Sequence, residues 1–484
     1  MPFVITRLAA GVAIGGLCVA VLLLGCGSGG NTNGSGNAPA PTPTPTPTPS
    51  AANEWTWMSG SNAVPLSYQG PAGVYGTVGV ASSANTPGAR SGAASWADGG
   101  GNLWLFGGID PNGYGGQFND LWEFNIAAKT WTWVSGAQTV TANGVYGSLG
   151  VAASTNVPGG RASAATWIDK SGHLWLFGGN GTAASQSGSL SDMWEFDPAA
   201  KEWTWMGGST AANQAGVYGT VGVASSSNLP GGGGGFANCT ACVDSSGNFW
   251  LYDASALWKF NPTVNQWAWM SGSSSANASA VYGTLGIPST TNAPGTRMNA
   301  SAWMDSTGNF WLFGGQLTAG VYNGTLNDLW KFDPTSSQWT WISGSNPFAS
   351  GVNQPSTYGS EGVPSTSNTP GGRESSSSWT DTSGNLWLYG GASIPTLETG
   401  ANINELWEFT PNGKMWTWMG GGSTTSLSAI YGTLGSPSSS NTPGARAASV
   451  SWVDNGGNLW LFGGVAPAAP GTYGFLNDLW RYQP

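Results

Sequence analysis

GNLWLFGG, residues 101–108, is an apolar run closed by two glycines, and near-copies stand at 172–179 (GHLWLFGG), 247–254 (GNFWLYDA), 308–315 (GNFWLFGG), 384–391 (GNLWLYGG) and 457–464 (GNLWLFGG). An aspartate precedes each copy, at Asp98, Asp169, Asp244, Asp305, Asp381 and Asp454, so the unit returns about every 71 residues. Each unit reads the same way. A strand carrying Trp two residues before the Asp meets a tight Asp-x-x-Gly-Asn turn, and the quoted run returns antiparallel to it. A loop ends in "NDLW", which opens a third strand, and "WTWVSG" supplies a fourth. No amphipathic helical period interrupts them.

Four antiparallel strands repeated six times predict an all-β, six-bladed β-propeller, because radial repetition leaves no long free sheet edge. The termini fix the blade number. The chain opens with a lone fourth strand, EWTWMSG at 54–60, and closes with a sixth unit that stops after its third, LWRYQP at 479–484. Joined, they complete the last blade and close the circle.

"PGGR", paired glycines, "NDLW" and a terminal Trp together resemble the kelch repeat, and the resemblance covers 53–484. It implies a kelch-type propeller, with the double glycine allowing close backbone packing in strand two. The units run longer than common kelch repeats because each carries an insertion, first seen as GVYGTVGVASSANTPGAR at 73–90.

Ahead of the repeats, Arg7 and the apolar run Leu8–Gly25 end in Leu23-Leu24-Gly25-Cys26, too short for a membrane span. They predict a signal peptide over 1–25 and resemble the bacterial lipobox, which implies lipid attachment at Cys26. Residues 26–52, with alternating Pro and Thr, read as an extended stalk. The expected location is extracytoplasmic, on the outer membrane or cell surface, with the lipid as the only membrane contact.

Charged residues make up 7% of the chain, against a typical ~25%, and the net charge is −10. Nucleic acid is therefore excluded as an expected partner. Twenty-nine tryptophans invite a sugar-stacking reading. However, each unit has five Trp slots (Trp96, Trp104, Trp122, Trp131 and Trp133 in the first), and Cys242 fills one of the thirty, so the template consumes every indole. They are expected to pack between blades.

Candidates for binding lie where loops between strands two and three meet the inter-blade connections, since both are long on that face. There the sequence places Tyr114, Tyr322 and Tyr473 in variable loops, and Arg90, Arg161, Arg297, Arg373 and Arg446 at the start of each innermost strand. In kelch substrate adaptors, arginines at this motif position grip acidic peptides, and the resemblance implies the same option here. The competing reading is structural. The five arginines occur together with an acid before "LW" (Asp120, Asp192, Asp328, Glu405, Asp478), and the third unit lacks both, having Ala256 at the acid position. It also loses its double glycine to Asp253-Ala254.

Copper radical chemistry of the galactose oxidase kind needs two histidines, and this chain has only His173, in the Asn slot of a tight turn where a residue tolerating positive φ suits. Cys239 and Cys242 form C-x-x-C without the second pair zinc would need. Asp110, Asp253, Glu361, Glu374 and Glu398 are the acids outside template positions, and no motif marks any as a general acid. The expectation is a monomeric protein- or glycan-binding module without catalysis, cofactor or metal. The alternative is a carbohydrate-active propeller resembling sialic acid mutarotase.

Overall fold

The computed structural model describes residues 52–65, 69–112, 115–231, 240–275, 277–319, 322–393, 401–422, 426–469 and 472–484. The expected signal peptide, Cys26 and the stalk up to residue 51 lie outside them. Ala51–Pro484 forms one compact unit.

Alternating aromatic and small residues give short strands, and these assemble into six antiparallel sheets. Blade one is Ala94–Ala97, Asn102–Phe106, Leu121–Asn125 and Thr130–Ser135. Blade two is Ala165–Ile168, Leu174–Thr182, Ser187–Asp197 and Glu202–Gly207, and blade three Thr240–Val243, Phe249–Asp253, Ala256–Asn261 and Gln266–Gly272. Blade four is Ser301–Met304, Phe310–Phe313, Leu329–Asp333 and Gln338–Ser343, and blade five Ser377–Thr380, Leu386–Tyr389, Leu406–Thr410 and Met415–Gly420. Blade six combines Val450–Val453, Leu459–Ala469 and Thr472–Gln483 with the N-terminal strand Glu54–Ser59. In that seam Trp55 faces Tyr482 and Trp57 faces Trp480. The predicted closure is therefore present.

Each blade's first strand touches the first strands of both neighbours, and blade six touches blade one, so these six strands line the axis of a closed ring. Six apolar clusters fill the six gaps between blades. The gap between blades one and two, for example, holds Trp96, Trp104 and Phe106 against Trp194, Phe196 and Trp203. Indole N–H groups pin the same gaps. Trp96 Nε1 donates to the Trp175 carbonyl at 3.0 Å, Trp379 to Trp460 at 3.1 Å and Trp452 to Trp104 at 3.1 Å. The half-buried tryptophans, such as Trp133, are covered by the insertion tyrosines, Tyr75 meeting it edge-on.

Asp98 closes its turn by accepting from the Gly100 and Asn102 amides, the Asn102 side chain and Trp104 Nε1. The positive φ falls on Gly101 (83°) rather than on the following Asn. The double glycine works between blades. Gly108 N donates to the Arg161 carbonyl at 2.8 Å, and a Cβ on Gly107 would lie 2.5 Å from that same oxygen.

The recurrent insertion has a defined task. In blade one, Gly79 N donates to the Trp133 carbonyl and Ser82 N to that of Trp131. Asn85 Nδ2 then bridges the carbonyls of Val80 and Trp131. The same Asn clamp recurs at Asn156, Asn228, Asn292, Asn368 and Asn441. Each insertion thus lies along its blade's outermost strand and occupies hydrogen-bonding groups that would otherwise be a free edge.

Candidate functional surfaces

The arginines expected at the channel mouth are not presented to a ligand. Arg90, Arg161, Arg297, Arg373 and Arg446 are at most 2% exposed. Arg161 meets Asp192 with two parallel bonds of 2.7 and 2.8 Å and spends its other donors on the carbonyls of Gly159 and Gly178. Arg90–Asp120, Arg297–Asp328, Arg373–Glu405 and Arg446–Asp478 repeat the pair. Each acid also accepts from the following Trp, as at Trp194, and from the insertion tyrosine, as Asp192 does from Tyr146 at 2.7 Å. The guanidinium therefore ties the inter-blade connection to its own blade through a buried, charge-assisted pair.

The loop tyrosines divide. Tyr114 lies outside the described residues. Tyr322 falls in a short hairpin strand, Tyr322–Thr325, paired with Gln316–Ala319. Tyr473 is half-buried in the third strand of blade six, opposite Pro467.

At the loop-rich end of the axis is a cavity of about 190 Å³ to which every blade contributes, through Gly92, Ser163, Thr240, Asn299, Ser375 and Ala448 among others. Five of these residues have positive φ, between 53° and 62°. Their backbones form a chain: Ser163 N to Gly92 O, Gly92 N to Ala448 O, Ala448 N to Ser375 O, and Ser375 N to Asn299 O, at 2.7 to 2.9 Å. Glu374 holds Asn299 Nδ2 at 2.8 Å, and burial raises its carboxyl above the ordinary value.

Blade three departs as its sequence foretold. Ala256 is fully buried where other blades carry the acid, and Asp253 is 5% exposed with Oδ1 unpartnered among the described residues. Desolvation raises that carboxyl to about 7. Cys242 carries a free thiol that burial, helped by Asp244, pushes well up. Cys239 and Glu398 lie outside the described residues.

The sequence accounts for His173 as a turn residue, and the structure gives it two acidic neighbours. Its Nδ1 contacts Glu195 Oε1 on the third strand and lies 3.6 Å from Asp169 Oδ2. Among the described residues this is the one group of three metal-capable side chains brought together. The signal lay in comparing units, since Glu195 has equivalents at Glu123 and Glu408 whereas His173 replaces Asn.

The rim is apolar in a regular way. Val78 and Val80 are 52% and 53% exposed, and their counterparts Leu149, Val151, Val221, Val223, Leu285 and Ile287 are exposed to a similar degree. In blades five and six one member of the couple remains, Val363 and Leu434.

No family model and no curated protein matches the chain. A solved structure described as "Structure of YjhT" is similar over 81% of this chain and 95% of its own, at 15% identity and a TM-score of 0.47.

Proposed function

We propose that this protein is a kelch-type propeller, held outside the cytoplasm by a lipid on Cys26, that serves as a binding or scaffold module without catalysis of its own. The rim carries the proposal. Sequence repetition places exposed aliphatic couples on the outside of successive blades, and soluble surfaces seldom repeat such exposure without a partner. The partner class it favours is protein: the indoles a glycan would stack on are buried or lie beneath the insertion tyrosines, whereas aliphatic couples suit an apolar protein surface.

The test uses the full-length protein and a rim variant with Leu149, Val151, Leu285 and Ile287 changed to Ser. Both are applied to peptide and glycan arrays. The proposal expects peptide or protein ligands that the native protein binds and the variant loses at an unchanged melting temperature. Equal binding by the two removes the rim from the argument, and turnover of any sugar, including anomer interconversion, replaces the module with an enzyme. Release of a Cys26→Ser variant from the membrane fraction tests the anchor separately.

A further inference from the structure

Five of the six tight turns end in Asn, and there the amide donates to the turn aspartate, as Asn102 does to Asp98 at 3.0 Å and Asn309 to Asp305 at 2.9 Å. In blade two this bond is missing. His173 Nδ1 stands 3.6 Å from Asp169 Oδ2, beyond hydrogen-bonding range, so that oxygen keeps only the Trp175 indole N–H at 3.0 Å. The imidazole leans instead on Glu195. All three ligand atoms lie within 4.8 Å of one another. We propose that Asp169, His173 and Glu195 form a site for a single divalent cation of the zinc class, on the short-turn face between blades two and three.

The chemistry of the donors selects the ion. One imidazole with two carboxylates suits a borderline cation such as Zn²⁺, whereas an all-oxygen set would favour Ca²⁺ or Mg²⁺. Two ligands on one tetrahedral zinc are separated by about 3.3 Å, close to the present separation of His173 and Asp169. Glu195 has only to draw back from the imidazole for the ion to enter. The three side chains are 34%, 15% and 18% exposed in the order His173, Asp169, Glu195, so they are open to solvent yet held by the turn and strand. They face a cavity of about 350 Å³ whose other wall includes Ser246, Gly247 and Thr263 of blade three, leaving room for waters to complete the coordination. Lys170 also borders it, but its aliphatic stem packs over Gly247.

The repeat supplies its own controls. His173→Asn restores the residue five other blades use and preserves the fold. Asn102→His builds the same triad in blade one, where Asp98 and Glu123 already stand in the equivalent places. Untagged full-length protein, stripped with chelator, is titrated with Zn²⁺ by calorimetry, and bound metal is counted after dialysis. The expected results are one zinc per native chain, roughly hundredfold weaker binding in H173N at an unchanged melting temperature, and two zinc ions in N102H. Zinc held equally by native protein and H173N would belong to thiols elsewhere and would overturn the assignment. So would an absence of binding to native protein, or an N102H variant that folds and gains no second ion.

Discussion

Removing the charge of Asp192 while leaving Arg161 in place strands a guanidinium whose side chain is 0% exposed. Asp192→Asn removes the counter-charge, turns an amide NH2 toward the donor that Oδ1 accepted at 2.7 Å, and leaves Arg161 the carbonyls of Gly159 and Gly178 and at most one neutral amide oxygen. Breaking one side of a buried pair costs about 3–5 kcal/mol. Arg161→Met strands the carboxylate instead, at the lower end of that range, since Tyr146 and Trp194 still donate to it. The double variant has neither charge, and the substituted amide oxygen still accepts from Tyr146 and Trp194. It should therefore lie about 3 kcal/mol above the sum of the singles. Swapping the charges should not rescue, because an arginine in place of Asp192 would meet the same two donors. Urea unfolding followed by tryptophan fluorescence at neutral pH measures all three variants. Acid adds a second reading. Burial raises the Asp192 carboxyl, but Arg161 and the bonds from Arg161, Trp194 and Tyr146 more than offset it, leaving it below the ordinary value. Its stabilisation is thus complete above about pH 4 and fades as pH falls through the lowered folded value, a dependence D192N lacks. Additivity of the singles within about 0.5 kcal/mol would refute the pairing argument.

Three other perturbations follow from the same geometry. Asn156→Ala removes bonds of 3.0 and 2.9 Å to Val151 and Trp203; a loss of about 1–3 kcal/mol in urea is expected, and no loss would mean the insertion is not clamped to the edge. Asp253 has a folded value of about 7, well above the unfolded ~3.9, so the native state binds the extra proton and loses stability as pH rises between them, at up to ~1.4 kcal/mol per pH unit. Asp253→Asn should flatten that slope in melting curves taken from pH 4 to pH 8, and an unchanged slope would count against a solvent-shielded carboxyl. Trp96→Phe keeps an aromatic ring but deletes the 3.0 Å bond to the Trp175 carbonyl and part of a buried ring; a loss of at least about 1 kcal/mol is expected in the same assay, and a neutral result would count against both the bond and the packing of that indole.

The ring was legible because its determinants recur at fixed spacing. Asp98 and its five equivalents mark turns, and the half-blades at 54–60 and 479–484 can be satisfied only by each other. The Arg–acid pairs were legible through the unit that lacks both, although the same arginines also suited a ligand until their burial was visible. The insertion was harder to read. Part of its hold is main-chain bonding, such as Gly79 N to the Trp133 carbonyl, and side-chain identity does not encode which carbonyl a backbone amide will find. His173 and Glu195 are 22 residues apart on different elements. Only the fold brings them together, and the Asn slot gave an adequate local account of the histidine.

The seam between Glu54–Ser59 and Thr472–Gln483 has a bearing on how the molecule is made. Synthesis delivers the first of these segments early and the second late, and the loop between them spans nearly the whole ring, which makes its closure a late event. Until then Trp55 and Trp57 have no neighbours across the gap. A product cut short before the second segment stays unlatched and leaves exposed the aromatic surface that the complete seam covers, Trp55 against Tyr482 and Trp57 against Trp480.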